Sequence, residues 1–366
     1  MNYNYLIARL RARKAELFQK KEYESIMASD SVSQMRDFLR VSSYGPYIEA
    51  AALRFPDAED TILYALRQHT TKIFQFIWMH KPKNDEQSIK SLFSKWELFN
   101  LKIILRGIHK GVHADIIKEK LIPAGEFTER RLNDLSVQPD LASVASYLVS
   151  AGSPYGRGLE KCIQHFEKSG HFRDLEIDLD QFYFFYFQSN IKKWTESGKA
   201  TSGLIRLRID IVNILILLKN IGEVQVDAQH TIIKHKIRKE QFVEGGGRLK
   251  KEKFLELLKE TSIDELLRKL SDVLRDPKFT EFLLDTDPDD LILTEERFED
   301  FIEKFLFRHA LRDPSGFYFI ASFLHMKMRE VKNLRLILSS VKYKLNIDEV
   351  RIHLFYPLID SEKRSA

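Results

Sequence analysis

An all-α fold is predicted for this 366-residue chain by three observations. Glycine (15) and proline (10) are scarce for this length, whereas β-rich proteins place such residues at every tight turn. Apolar residues recur at helical spacing over most of the sequence. No long run alternates apolar with polar residues between hairpin dipeptides. With 44% hydrophobic and 30% charged residues, the chain is expected to fold into two or three well-solvated domains.

Read in order, the stretch from Met1 to Lys14 carries Arg9, Arg11 and Arg13 and lacks the apolar centre of a secretory signal. Ser42-Ser43-Tyr44-Gly45-Pro46 forms a turn. Ile62, Leu63, Leu66, Ile73, Phe74 and Phe76 then share the period of an amphipathic helix. Pro123-Ala124-Gly125, Gly152 to Gly158, Gly245-Gly246-Gly247 and Asp285 to Asp290 are further breaks between helices. The six consecutive aromatics Phe182 to Phe187 cover nearly the whole circumference of a helix and are expected in the core rather than as a base-stacking platform. Phe298, Phe301, Ile302, Phe305 and Leu306 mark another amphipathic helix. The longest uncharged apolar stretches, Ile211 to Leu218 and Phe182 to Phe187, are far short of the roughly 20 residues that cross a bilayer, so no direct membrane span is expected.

One pattern, an acidic residue three before an asparagine and then aliphatics, occurs three times: Glu97 with Asn100, Asp210 with Asn213, and Glu330 with Asn333. Asp115, Asp227 and Asp348 follow the asparagines by 15, 14 and 15 positions, each where a new helix is expected to start. Asn346 with Glu349 reads as a variant capping box. In the first and third copies Pro123 and Pro357 end the short helix. Upstream, Leu39, Leu148 and Leu270 precede the asparagines by 61, 65 and 63 positions. Three diverged copies of about 115 residues are therefore expected, with domains at 1–124, 125–246 and 247–366.

Recognisable chemistry is absent. There is no phosphate-binding Gly-x-x-x-x-Gly-Lys-Ser/Thr loop, and Gly245-Gly246-Gly247-Arg248 has neither its spacing nor its context. His109 and His113 straddle Gly111, where a helix should be ending, which spoils a rigid metal-ligand pair. Gly152-Ser153-Pro154-Tyr155-Gly156 does not place its serine as a nucleophile elbow does. The single cysteine, Cys162, excludes an intramolecular disulfide and points to a reducing cytoplasm. No catalytic residue, metal site or cofactor is expected. A net charge of +5 names no partner. Lys234, Lys236, Arg238 and Lys239, with Arg248, Lys250, Lys251 and Lys253, could grip phosphates, but Glu240, Glu244, Glu252 and Glu256 are interleaved, as on a solvated face of mixed charge.

The acidic-x-x-Asn element is the informative constellation. On a helix it places a carboxylate beside an amide. A buried asparagine among aliphatics needs hydrogen-bond partners, so each is expected to brace a neighbouring turn, direct contact with a partner being the other reading.

These three copies, with Lys102, Leu215 and Arg335 two positions after their asparagines, resemble the C subunit of the V-type (V/A-type) rotary ATPases, the counterpart of the d subunit in eukaryotic vacuolar enzymes. The opening Tyr3-x-Tyr5-x-x-Ala8-Arg9-x-Arg11 segment, the Leu39-x-x-x-Ser43-Tyr44 turn and the Asn333-Leu334-Arg335 helix belong to the same likeness. Trp96-Glu97 stands where the family often has Tyr-Asp, and Leu215 where the other two copies are basic. The resemblance implies a funnel of three similar helical domains about a pseudo-threefold axis. It also implies a non-catalytic cytoplasmic component, seated between the membrane ring of proteolipid subunits and the rotating shaft built from the D and F subunits. Glu97, Asn100, Lys102, Asp210, Asn213, Glu330, Asn333 and Arg335 are then the candidate structural or interaction residues, with no nucleic-acid partner. The competing reading is a helical-repeat scaffold that binds nucleic acid or protein through the basic stretch 232–253.

Overall fold

The computed structural model describes residues 3–222, 224–226, 232–234, 241–274, 276–284 and 291–356. The first five helices are α1 (Tyr3–Ala15), α2 (Lys20–Met27), α3 (Val32–Arg40), α4 (Gly45–Ala52) and α5 (Ala58–Met79). The long α6 (Glu86–His109) and the short α7 (Ala114–Glu119) follow. Next come α8 (Glu129–Ser136), α9 (Leu141–Ser150), α10 (Tyr155–Ser169), α11 (Phe172–Asn190) and the long α12 (Glu196–Gly222). After a two-stranded antiparallel ribbon, β1 (Val224–Val226) and β2 (Ile232–Lys234), come α13 (Lys251–Leu257), α14 (Ile263–Leu274), α15 (Pro277–Leu284) and α16 (Leu291–Arg312). The long α17 (Phe317–Tyr343) and the short α18 (Ile347–Ile352) complete the series. The fold is all-α.

Local chemistry starts many of these helices. Asp57 accepts the N–H groups of Glu59 (2.8 Å) and Asp60 (3.2 Å) at the head of α5, and Asp140 accepts that of Ser143 (2.7 Å) at the head of α9. At α2 the Glu22 carboxylate accepts the Gln19 N–H (2.9 Å), the returning half of a capping box. At α18, Asn346 accepts the Asp348 N–H (3.0 Å), but Glu349 meets the Asn346 side-chain amide (3.5 Å), so the expected box is only half formed. Asp115 and Asp348 both lie in the first turns of their short helices. Asp227, Asp285 to Asp290, Pro357, Lys236, Arg238 and Lys239 lie outside the described residues.

Periodicity reads out as burial. Ile62, Leu66, Ile73 and Phe74 are buried on α5, and Phe298, Phe301, Ile302 and Leu306 on α16. None of Ile211 to Leu218 on α12 is exposed. The aromatic run departs from expectation: Tyr183, Phe184 and Phe187 are buried, but Phe185 is 72% exposed because α11 keeps one face in solvent.

By their contacts, the described residues fall into two compact units, one from 1–93, 122–128 and 302–366, the other from 94–121 and 129–301. In the first, α17 packs on α1, α2, α3, α5 and α18. Leu334, Ile337 and Leu338 of α17 share a core there with Tyr23, Met35, Leu39 and Ile62. In the second, α9, α10, α11 and α12 pack in chain order, and α12 continues through α13 to α14.

Candidate functional site

The copy on α12 is a backbone clamp. Asn213, fully buried, donates from Nδ2 to the Val243 carbonyl and accepts the Val243 N–H at Oδ1, both at 2.9 Å. One amide side chain thus satisfies both polar groups of one buried residue, as a neighbouring strand would. One turn earlier, the Asp210 carboxylate accepts the N–H groups of Gly247 (3.1 Å), Arg248 (3.0 Å) and Leu249 (3.2 Å). Burial raises the Asp210 pKa while these three donors pull it back. The triple glycine is what lets the chain come this close, since a side chain on Gly246 would collide with the Asp210 carboxylate. Gly245-Gly246-Gly247-Arg248 therefore wraps a carboxylate of its own chain.

The copy on α17 repeats the arrangement. Asn333 donates to the Phe355 carbonyl (2.7 Å) and accepts the Phe355 N–H (3.2 Å). Glu330 accepts the Phe18 N–H at 2.7 Å. Phe18 stands two residues before α2 begins, just as Leu249 stands two before α13. In both copies the carboxylate holds the lead-in to a helix and the amide holds a second stretch of backbone.

A charged cluster that motif spacing did not reveal surrounds Glu330. Lys327, one turn earlier on α17, donates to Glu330 (2.5 Å), to the Tyr44 hydroxyl (2.8 Å) and to Nδ1 of His69 (3.1 Å), while Tyr44 donates to Glu330 (2.7 Å). All four side chains are buried. Burial lowers the Lys327 pKa against the pull of Glu330, raises that of Tyr44 well above its ordinary value, and drives His69 down to about 2. His69 is thus a neutral acceptor for the ammonium. The only signal for this cluster in the sequence is Lys-x-x-Glu on a helix otherwise rich in buried aliphatics.

On α6, Glu97 and Asn100 are both buried, and Glu97 accepts the Tyr155 hydroxyl at 2.8 Å. Tyr155 opens α10 from the turn Ser153-Pro154, much as Tyr44 precedes α4. Neither tyrosine is singled out by spacing, although each belongs to a Tyr-Gly pair at a helix start. Of the cations, Lys102 pairs with Asp180 at 2.6 Å, whereas Arg335 is exposed. In the basic stretch, Arg248 pairs with Asp276 (2.5 Å), Lys251 with Glu244 (3.2 Å) and Lys253 with Glu256 (2.7 Å).

The family model of the ATP synthase (C/AC39) subunit matches residues 6–352. The chain belongs to this family. It is 27% identical over 359 residues to the A-type ATP synthase C subunit of Haloferax volcanii, covering 96% of this chain and 97% of that protein. The V-type ATP synthase C subunit of Deinococcus radiodurans is 27% identical over 226 residues, 60% of this chain and 61% of that protein. The A-type counterpart of Methanocaldococcus jannaschii is 22% identical over 353 residues, with coverages of 95% and 85%. The chain is therefore a C subunit of the A/V-type ATP synthase family.

Two further features of this family member bear on chemistry. Burial pushes the Cys162 thiol up to about 12, which keeps it protonated. Among the described residues no three His, Cys, Asp or Glu side chains are grouped to hold a metal ion, and no helix is long and apolar enough to cross a membrane.

Proposed function

We propose that this protein is a non-catalytic adaptor of a V/A-type rotary ATPase or ATP synthase, joining the rotating shaft of D and F subunits to the membrane ring of proteolipid subunits. The family match over residues 6–352 carries this reading, because it spans the repeated helical clamps instead of a single motif. The hydrogen-bonded asparagines support it from the other side. Asn213 and Asn333 direct their polar atoms to backbone, which serves stiffness and leaves them no chemistry. The three-domain division at 1–124, 125–246 and 247–366, arranged as a funnel about a pseudo-threefold axis, is part of the proposal, as is a cytoplasmic site on the ring. In this reading Glu97, Asn100, Asp210, Asn213, Glu330 and Asn333 hold the frame, and Lys102 and Arg335 sit beside it.

The test is assembly from purified parts. The full chain, mixed with the isolated D and F shaft and separately with the detergent-solubilised ring, should elute with each in gel filtration. It should show no ATP hydrolysis and bind no nucleotide when alone. Elution apart from both would overturn the reading.

A further inference from the structure

The last turns of α6 and the facing side of α7 enclose a pocket of about 290 Å³. Its apolar lining includes Ile103, Val112 and Ile116, and its rim carries Lys110, Lys120 and Arg106. Val112 is 37% exposed and Ile116 49%, so this lining faces water. α7 has only six residues and secures itself through one buried side chain, Ile117, which seats against Gly107. Its other aliphatic, Ile116, is left without cover. The rim charges are unequal. Arg106 forms a two-pronged pair with Glu176, and the nearby Asp115 is taken by Lys118 (3.0 Å), whereas Lys110 and Lys120 are exposed with no carboxylate partner among the described residues.

The same turn recurs 233 positions later, between α17 and α18. Gly111 (φ 66°) and Lys344 (φ 53°) are the matching left-handed residues that end the long helices. His113 and Asn346 each accept an N–H two residues on, and Lys118 and Arg351 pair with Asp115 and Asp348, three residues earlier. Ile117 and Val350 are the buried anchors. Between the left-handed residue and the cap, the first turn exposes Val112 and the second exposes Leu345, at 46%. Both tips thus expose an aliphatic side chain near an exposed lysine, Lys110 at the first and Lys344 at the second, neither of them ion-paired among the described residues. An apolar lining under uncompensated positive charge fits a partner with the inverse pattern.

We propose that the α6–α7 pocket is a docking seat for an acidic segment of a partner protein, one apolar side chain entering between Val112 and Ile116 while flanking carboxylates meet Lys110 and Lys120. The Leu345 tip offers a second contact of the same kind. This rests on reading the chain as part of a larger assembly, and the experiment separates the two.

A photo-activated benzophenone amino acid is placed at Val112 in the full chain, and the purified assembled complex is irradiated and digested. The expected product joins Val112 to a partner peptide with Asp or Glu on either side of a large apolar residue. In parallel, Lys110→Glu with Lys120→Glu should weaken retention of the chain in the complex about tenfold, most strongly at low salt. Lys161→Glu with Lys168→Glu, the same charge change on α10, should leave retention unaltered. Circular dichroism of the variants shows whether each is folded. Wild-type retention of the Lys110/Lys120 variant, or a cross-link to lipid or to a peptide without carboxylates, overturns the docking seat while leaving the family assignment intact. Failure of the wild-type chain to enter the complex overturns the adaptor reading itself.

Discussion

Asn213 and His69 show how much single buried polar groups decide here. Asn213→Leu is close in volume but strands the N–H and C=O of Val243 in the core. It should cost about 1 to 3 kcal/mol for each group left unpaired, read as a lower urea midpoint. An unchanged midpoint with impaired assembly would instead assign Asn213 to a partner contact. His69 makes stability depend on pH. Unfolded, its ring takes a proton near pH 6.5, whereas folded, enclosed by Lys327, Tyr44 and Tyr47, it does so only at about 2. The folded state therefore binds fewer protons below pH 6.5, and stability falls there by about 1.4 kcal/mol per pH unit from this group. His69→Gln should flatten the decline between pH 6.5 and 5. Parallel curves for the two proteins would show that another group carries it. Lys327→Ala should be more damaging near neutral pH, by about 3 to 5 kcal/mol, because Glu330 would be left in the core without its cationic partner.

At the level of elements, helix content and the helical setting of the three acidic-x-x-Asn motifs were legible because period and punctuation are local properties of sequence. The partners of each motif were not. Nothing near Asn213 names Val243, thirty positions on, and nothing near Glu330 names Tyr44 or Phe18. The first contact is set by how the segment before α13 returns to α12, and the others by the packing of α17 against the amino-terminal helices, which spacing along one segment does not encode. The triple glycine reads in sequence as a lapse between helices, although its role is to admit a carboxylate. The two matching turns give the element-scale test. Gly111 adopts its left-handed conformation without strain, while Lys344 holds the same region of φ against the strain of a side chain. Lys344→Gly should therefore raise stability by about 1 kcal/mol. Gly107→Val should do the reverse, since any side chain there meets Ile117 and lifts α7 from α6. A melting temperature unmoved in both variants would mean that these short helices contribute nothing to the cooperative unit.

For the whole molecule, the pattern of buried polar groups favours a mechanical part. Its longest helices, α12 and α17, have 27 residues each, about 40 Å of continuous helix, and each is tied to distant backbone by a carboxylate and an amide. Such ties cost folding free energy to bury and in return hold one geometry, which matters for a part that carries load between neighbours. If the chain links shaft to ring as proposed, its removal must separate two activities that run together in the intact enzyme. The catalytic head retains its sites and should go on hydrolysing ATP, while ion movement driven by that hydrolysis should disappear. Membrane vesicles from a strain lacking this chain should show ATP-dependent acidification or ion uptake near background, at a hydrolysis rate normalised to head content. Adding back the purified chain should restore transport, and the Asn213→Leu chain should restore it only below the temperature at which that variant unfolds. Normal transport per ATP without the chain would end the adaptor reading, because a link that transmits torque cannot be dispensable for coupling.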